Sequence, residues 1–303
     1  MCLQQDSKEN NLEAAEESET LLQSMLSQLT EEEMETAART NYQYLQSAWS
    51  GTATVEDRQK HATAMARRYL KSKKDVDRAL DCMRLTLQFR QEMKLDQLRR
   101  TFDDSIDDND EQQQQFRSEL AERLSSKKSF VMGYDKEGRA TFHFRPPKSI
   151  HHDLHWTMME ALYTMERTIA CSQRNAGQDS INAVVDIAGF QPMVHAPPLH
   201  VGQQFLQTLR RHYVGHIDKI VILDAPMAFV ILWQLLSPFV GTKTSSKIVF
   251  LSGQENKTEQ ISQLYDPAQA APWMMTGGRK ERELDMDEYL YKTTFDHAFD
   301  EDK

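Results

Sequence analysis

Apolar positions along the first hundred residues recur at helical spacing, and further on they switch between that period and the period of two that marks strands. Thr30-Glu31-Glu32-Glu33 has the form of a capping box, and Met34, Ala38, Tyr42 and Leu45 follow it on one helical face as far as Trp49-Ser50-Gly51. Two more helices are predicted over 55–70 and 76–93, the second with Val76, Leu80, Met83 and Leu87 on one side. Residues 29–100 therefore read as a small helical bundle. The stretch 103–115, DDSIDDNDEQQQQ, has nothing to bury and reads as a linker, with a short helix after it at Phe116–Leu124. Phe130–Gly133, the turn Asp135-Lys136-Glu137-Gly138 and the alternation from Ala140 to Phe144 predict a β-hairpin with one buried face. A helix over 151–173, a buried strand over 181–187 and a helix over 199–213 come next.

The stretch 217–253 is the most telling. A β-branched run, Ile220–Leu223, leads into Asp224-Ala225-Pro226, where Pro suits the first turn of a helix. Met227–Leu236 is then apolar nearly all round, broken only by Gln234, and Pro238 is expected to stop it before a second strand at Lys247–Leu251. A helix of this kind is buried or meets lipid. The run from Ile220 to Val240 is near the ~20 residues of a bilayer span, but Asp224, Pro226, Gln234 and Pro238 interrupt it, which fits a strand and a helix better than one transmembrane segment. The alternation of strands and helices predicts an α/β fold: a mixed, largely parallel sheet flanked by helices and preceded by the helical bundle.

These residues resemble a known family. Strand, Asp-Ala-Pro, apolar helix, Pro238-Phe239, Thr244-x-x-Lys247-Ile248 and a final strand are similar to the C-terminal half of a CRAL-TRIO lipid-binding domain, the family of yeast-type phosphatidylinositol transfer proteins and of tocopherol and retinaldehyde carriers. Arg68–Val76, RYLKSKKDV, resembles the signature of the helical module that precedes such domains. Gly133-Tyr-Asp-Lys-Glu-Gly-Arg-Ala140 is similar to G-x-D-x-x-G-R-P without its proline, Asp186-Ile-Ala-Gly189 to D-L-x-G, and Gly277-Gly278 to the closing glycine pair. The resemblance implies a hydrophobic pocket lined by Phe142, Phe144, Val185, Ile222, Val240 and Val249, with a gate helix carrying Phe229, Trp233, Leu236 and Phe239. It places a lipid headgroup at Lys73, Thr244 and Lys247, while Gly215 stands where the family has a glutamate. Its phosphatidylcholine-binding members use two hydroxyl residues where this chain has Ile181 and Ala183. The domain plan that follows is an acidic, unstructured 1–28, a helical module over 29–100, a linker and short helix over 101–127, the lipid-binding domain over 128–278 and an acidic tail over 279–303.

Charge narrows the partners. A net charge of −10 argues against nucleic acid, whose binding needs cations against phosphate, and against purely electrostatic attachment to anionic membranes. The three cysteines, Cys2, Cys82 and Cys171, fit neither a disulfide framework nor a zinc site, and the N-terminus has no apolar signal core, so a cytoplasmic location is expected with transient visits to membrane surfaces. His151 and His155 stand four apart without a third ligand nearby in sequence, so no metal is expected. No phosphate-binding glycine loop, nucleophile elbow or H-E-x-x-H occurs, so no enzyme and no cofactor is expected. The function expected is to bind a hydrophobic lipid, phosphatidylinositol or a phosphoinositide among the candidates, and to carry it between membranes. The alternatives are a lipid-loaded sensor acting on a partner protein through the acidic tails, and a carrier of a small hydrophobe of tocopherol or retinoid type.

Overall fold

The computed structural model describes residues 16–103, 110–148, 153–175, 178–279 and 284–298. The chain divides into two units, Met1–Met93 and Lys94–Lys303.

The first unit is helical: α1 (16–26), α2 (Glu31–Ala38), α3 (Tyr42–Trp49), α4 (Val55–Lys73) and α5 (Val76–Glu92). Thr30 forms the expected capping box with Glu33. The single helix expected from 30 to 49 is two, because Asn41 starts a new one by accepting a bond from the Tyr44 amide. Residues 16–26 are helical where the composition suggested an unstructured tail, since Leu22, Met25 and Leu26 share a buried side and the acidic residues take the exposed one. Inside the unit the Tyr69 hydroxyl donates to Thr86 Oγ1 at 2.7 Å, tying α4 to α5.

The second unit opens with α6 (Leu95–Arg99), whose Leu95, Leu98 and Arg99 are buried, and α7 (Glu111–Leu124). The latter starts five residues before Phe116 because Asp110 caps it, taking the amides of Gln112 and Gln113. Then come β1 (Ser129–Tyr134), β2 (Ala140–Phe144), α8 (Leu154–Arg174), β3 (Ile181–Asp186), α9 (Pro192–His195), α10 (Leu199–His212), β4 (Ile217–Leu223), α11 (Met227–Val240), α12 (Thr242–Ser245), β5 (Ile248–Leu251) and α13 (Gln254–Leu264). The sheet runs β1-β2-β3-β4-β5, antiparallel only between the first two strands. The hairpin is buried on both faces, not one. Its turn is held by Asp135, whose carboxylate accepts from the amides of Glu137 and Arg139, from the Arg139 guanidinium and from Asn182 Nδ2. The aspartate and arginine of the G-x-D-x-x-G-R motif are thus a hydrogen-bonded turn pinned to β3.

α11 runs two residues past Pro238, where a stop was expected. Pro238 has no N–H for the Gln234 carbonyl, and the Ser237 hydroxyl lies 3.4 Å from that oxygen instead. Gly241, at φ 82°, then turns the chain. Beyond α13, Leu284, Tyr289, Leu290, Phe295 and Ala298 are buried, so the acidic C-terminal stretch packs back on the domain.

Candidate functional site

Strand register alone builds an apolar floor. Phe142 pairs with Ala183, Ala183 with Ile220, and Ile220 with Ile248; one step further Phe144, Val185, Ile222 and Phe250 follow in the same way. Partners side by side point to the same face, so these eight side chains form two parallel apolar rows across one side of the sheet.

Different helices cover the two ends of that floor. α8 lies over the hairpin end, where Ser129 and Thr164 share a hydroxyl contact of 3.2 Å and the Ala140 amide donates to Ser172 Oγ at 2.8 Å. α11 lies over the β4–β5 end. Phe229 and Leu232 pack on the cluster of Ile187, Phe190 and Ile222, the ring of Phe229 stands edge-on to Phe190 at 5.6 Å, and the Trp233 indole is 6.2 Å from Phe250. Leu236 meets Gly202 of α10, where an added Cβ would come within 3.6 Å of it. Along the floor Phe144, Val185, Ile220 and Ile248 stay half-buried, and Phe250 is exposed.

The burial of α11 is at odds with its composition. Of its fourteen residues only Val240 is fully buried. Met227, Ile231 and Leu235, spaced by four, are 73%, 57% and 57% exposed, so the helix turns an apolar stripe to solvent. Met193 and Val194 of α9 and Leu199 of α10 are exposed as well.

Phe142, Phe144, Val185 and Ile222 from the expected set share the floor, and Phe229, Trp233, Leu236 and Phe239 are half-buried on α11. Val249 is a correction. It pairs with Val221 and so points to the opposite face, while Phe250 takes the place expected for it beside Trp233. The alternation within Lys247–Leu251 puts Ile248 and Phe250 on one side of the strand and Val249 on the other, and the register with β4 decides which side joins the floor. Phe190 and Leu232 were also missed. Phe190 follows a glycine turn and carries no periodic signal, whereas Leu232 lies inside the gate run.

The polar candidates fall into two sets. Lys73 is exposed near the end of α4 in the first unit. Thr244 and Lys247 sit together in the second, where the Lys247 amide donates to the Thr244 carbonyl at 3.0 Å and the Lys247 ammonium donates to the carbonyl of Ile217. Gly215 occupies a positive-φ turn between Val214 and His216. The His151–His155 pair is not described as a pair, since His151 lies outside the described residues. No group of three His, Cys, Asp or Glu among the described residues is placed to hold a metal ion, and none of their helices is long and apolar enough to cross a membrane. On the other face of the sheet His143 is fully buried between Phe130 and Trp273, and burial pushes its imidazole down to about 4.

Residues 124–271 match the family model described as the CRAL/TRIO domain. The chain is 23% identical over 145 residues, 46% of its length, to the phosphatidylinositol transfer protein PDR17 of Saccharomyces cerevisiae. It is 21% identical over 132 residues, 44% of its length, to a CRAL-TRIO domain-containing protein of Schizosaccharomyces pombe. These matches span 41% and 13% of the two relatives. Among solved structures, that of Sfh5 superposes with a TM-score of 0.54 over 78% of each chain at 13% identity, a likeness of fold. Family match and fold agree over the second unit, where residues 124–271 match the CRAL/TRIO domain.

Proposed function

We propose that this protein holds a hydrophobic lipid between α11 and the apolar floor of the sheet, and carries it from one membrane to another with α11 as the moving cover. The observation behind this reading is α11 itself, an almost wholly apolar helix with one fully buried residue and an outward stripe of Met227, Ile231 and Leu235. Such a helix is stable in water only at a cost, which a membrane surface or an acyl chain beneath it removes. Each buried methylene contributes about 0.8 kcal/mol, so one acyl chain along Phe144, Val185, Ile220 and Ile248 suffices as ligand without any catalytic group. No reaction is part of this proposal.

Lys247 and Thr244 are assigned to the polar end of the ligand, and an inositol phosphate is a headgroup that suits a cation and a hydroxyl. Ile181 and Ala183 offer a choline lipid no hydroxyl. The name of the Saccharomyces relative supports the same class of ligand. The test is mass spectrometry of organic extracts from the purified protein, followed by transfer of fluorescent phosphatidylinositol and phosphatidylcholine between vesicles. A protein that is lipid-free and stays lipid-free after exposure to both vesicle types overturns the reading.

A further inference from the structure

The turn at the head of α11 is built from an unusual residue. β4 ends with the Asp224 amide donating to the carbonyl of Leu251, and Asp224 itself adopts a left-handed conformation, φ 51°, before Ala225 and Pro226 lead into the helix at Met227. Asp tolerates that region better than most residues but still needs support from its surroundings. The support comes from α13, where the Lys257 ammonium reaches Asp224 Oδ2. Lys257 is buried, its side chain only 8% exposed, and this carboxylate is its one ion-pair partner among the described residues. The far end of α11 also turns at positive φ, on Gly241, beside the Arg210 side chain. Two turns of this kind bracket a helix held to the sheet by half-buried contacts, and the first is fixed by a partly buried charge pair.

We propose that the Lys257–Asp224 ion pair is a latch: it fixes the left-handed turn and so sets how often α11 lifts from the sheet. Lys257 is then a positioning residue, acting on α11 through Asp224 without touching ligand. The role rests on the reading of α11 as a moving cover, but it can be tested without lipid. Opening of a helix by local unfolding is read directly by amide exchange, whereas loss of global stability appears in every core strand.

The variants are Asp224→Asn, which keeps the preference for positive φ and removes the charge, and Lys257→Met, which keeps the stem and removes the ammonium. Exchange of the amides over 227–240 should rise about tenfold in both, on the scale of losing a partly buried ion pair, while β3 and β4 keep their wild-type rates. The double variant should exceed neither single one, since both break the same contact. Unchanged exchange over 227–240, or a rise shared equally by β3 and β4, overturns the latch. Vesicle transfer of fluorescent phosphatidylinositol is measured in parallel. If the wild type transfers none, the carrier reading fails while the exchange result still decides the latch.

Discussion

The two flanks of one sheet face differ in how they are closed. Under α8 the chain buries charge and satisfies it: Arg99 pairs with Glu166, the Tyr213 hydroxyl donates to the same carboxylate at 2.8 Å, and Lys128 meets Glu160 at 2.6 Å. Arg167 lies fully buried against the Tyr289 ring at 3.8 Å, and its guanidinium is within 3.4 Å of the carbonyls of Thr293 and Thr294. Under α11 the contacts are apolar and incomplete. Buried polar bonds need fixed geometry, so the first flank is committed to one arrangement, whereas the apolar contacts of the second have no direction and set no such requirement.

The largest expected effect breaks the closed flank. Arg99→Met leaves the Glu166 carboxylate buried beside Tyr213 without its guanidinium, and should lower the free energy of unfolding by about 3–5 kcal/mol in urea. Adding Glu166→Gln should restore part of the loss. A single variant as stable as wild type would mean that this flank is no more committed than the other.

Tyr289→Ala comes next. Tyr289 is fully buried, accepts the Val131 amide at 3.1 Å and covers Arg167, so its loss should cost about 3–5 kcal/mol. Thermal unfolding reads the outcome. Near-wild-type stability would make the C-terminal stretch a dispensable tail and remove it from the closed flank.

That stretch shows where sequence reading succeeds and where it stops. Periodicity carried the element types, because the apolar spacing in α4, α5, α8 and β3 is dictated by the element itself. Leu284, Tyr289 and Leu290 were recognisable as apolar residues in an acidic segment, but what they pack on was not, since a five-residue helical turn with long-range partners has no local signature. The same holds for the pairing of Arg99 with Glu166, residues 67 positions apart. Within the site, the helix that covers it was legible because its composition is extreme, and its floor was legible in part because strand alternation assigns faces once a register is known. Val249 and Phe250 were confused for want of that register.

A smaller effect concerns the opposite face, where His143 is held near pKa 4 by burial, against 6.5 in the unfolded chain. The unfolded chain takes up the proton first, so the contribution of His143 is constant above pH 6.5 and lost as pH falls toward 4, by roughly 1.4 kcal/mol per pH unit. Between pH 7 and pH 5 the stability should fall by about 2 kcal/mol from this group, and His143→Phe should flatten that part of the profile. An unaltered slope in the variant would show that the imidazole is not sealed in.

The smallest effect on stability is the most informative about the open flank. Ile231 and Leu235 face solvent from α11, so changing both to Ser removes little that the folded state buries, and unfolding free energy should move by no more than about 0.5 kcal/mol. Membrane contact is another matter. If the stripe enters the interface, two aliphatic side chains lose their transfer from water, each worth about 1.5–3 kcal/mol when fully buried, and even partial insertion makes the combined loss about tenfold or more in vesicle association. Transfer of fluorescent phosphatidylinositol should fall with it, while the lipid already held by the purified protein stays unchanged, because neither side chain points to the floor. A matched pair on the closed flank gives no such separation: Leu162 and Ile169 of α8 are buried, and serine there should cost stability first. Equal loss of stability and transfer in the Ile231 and Leu235 variant would make α11 an ordinary packed helix. Full transfer with full stability would keep it as a cover but move the membrane-facing surface elsewhere, with Met193, Val194 and Leu199 the next side chains to change.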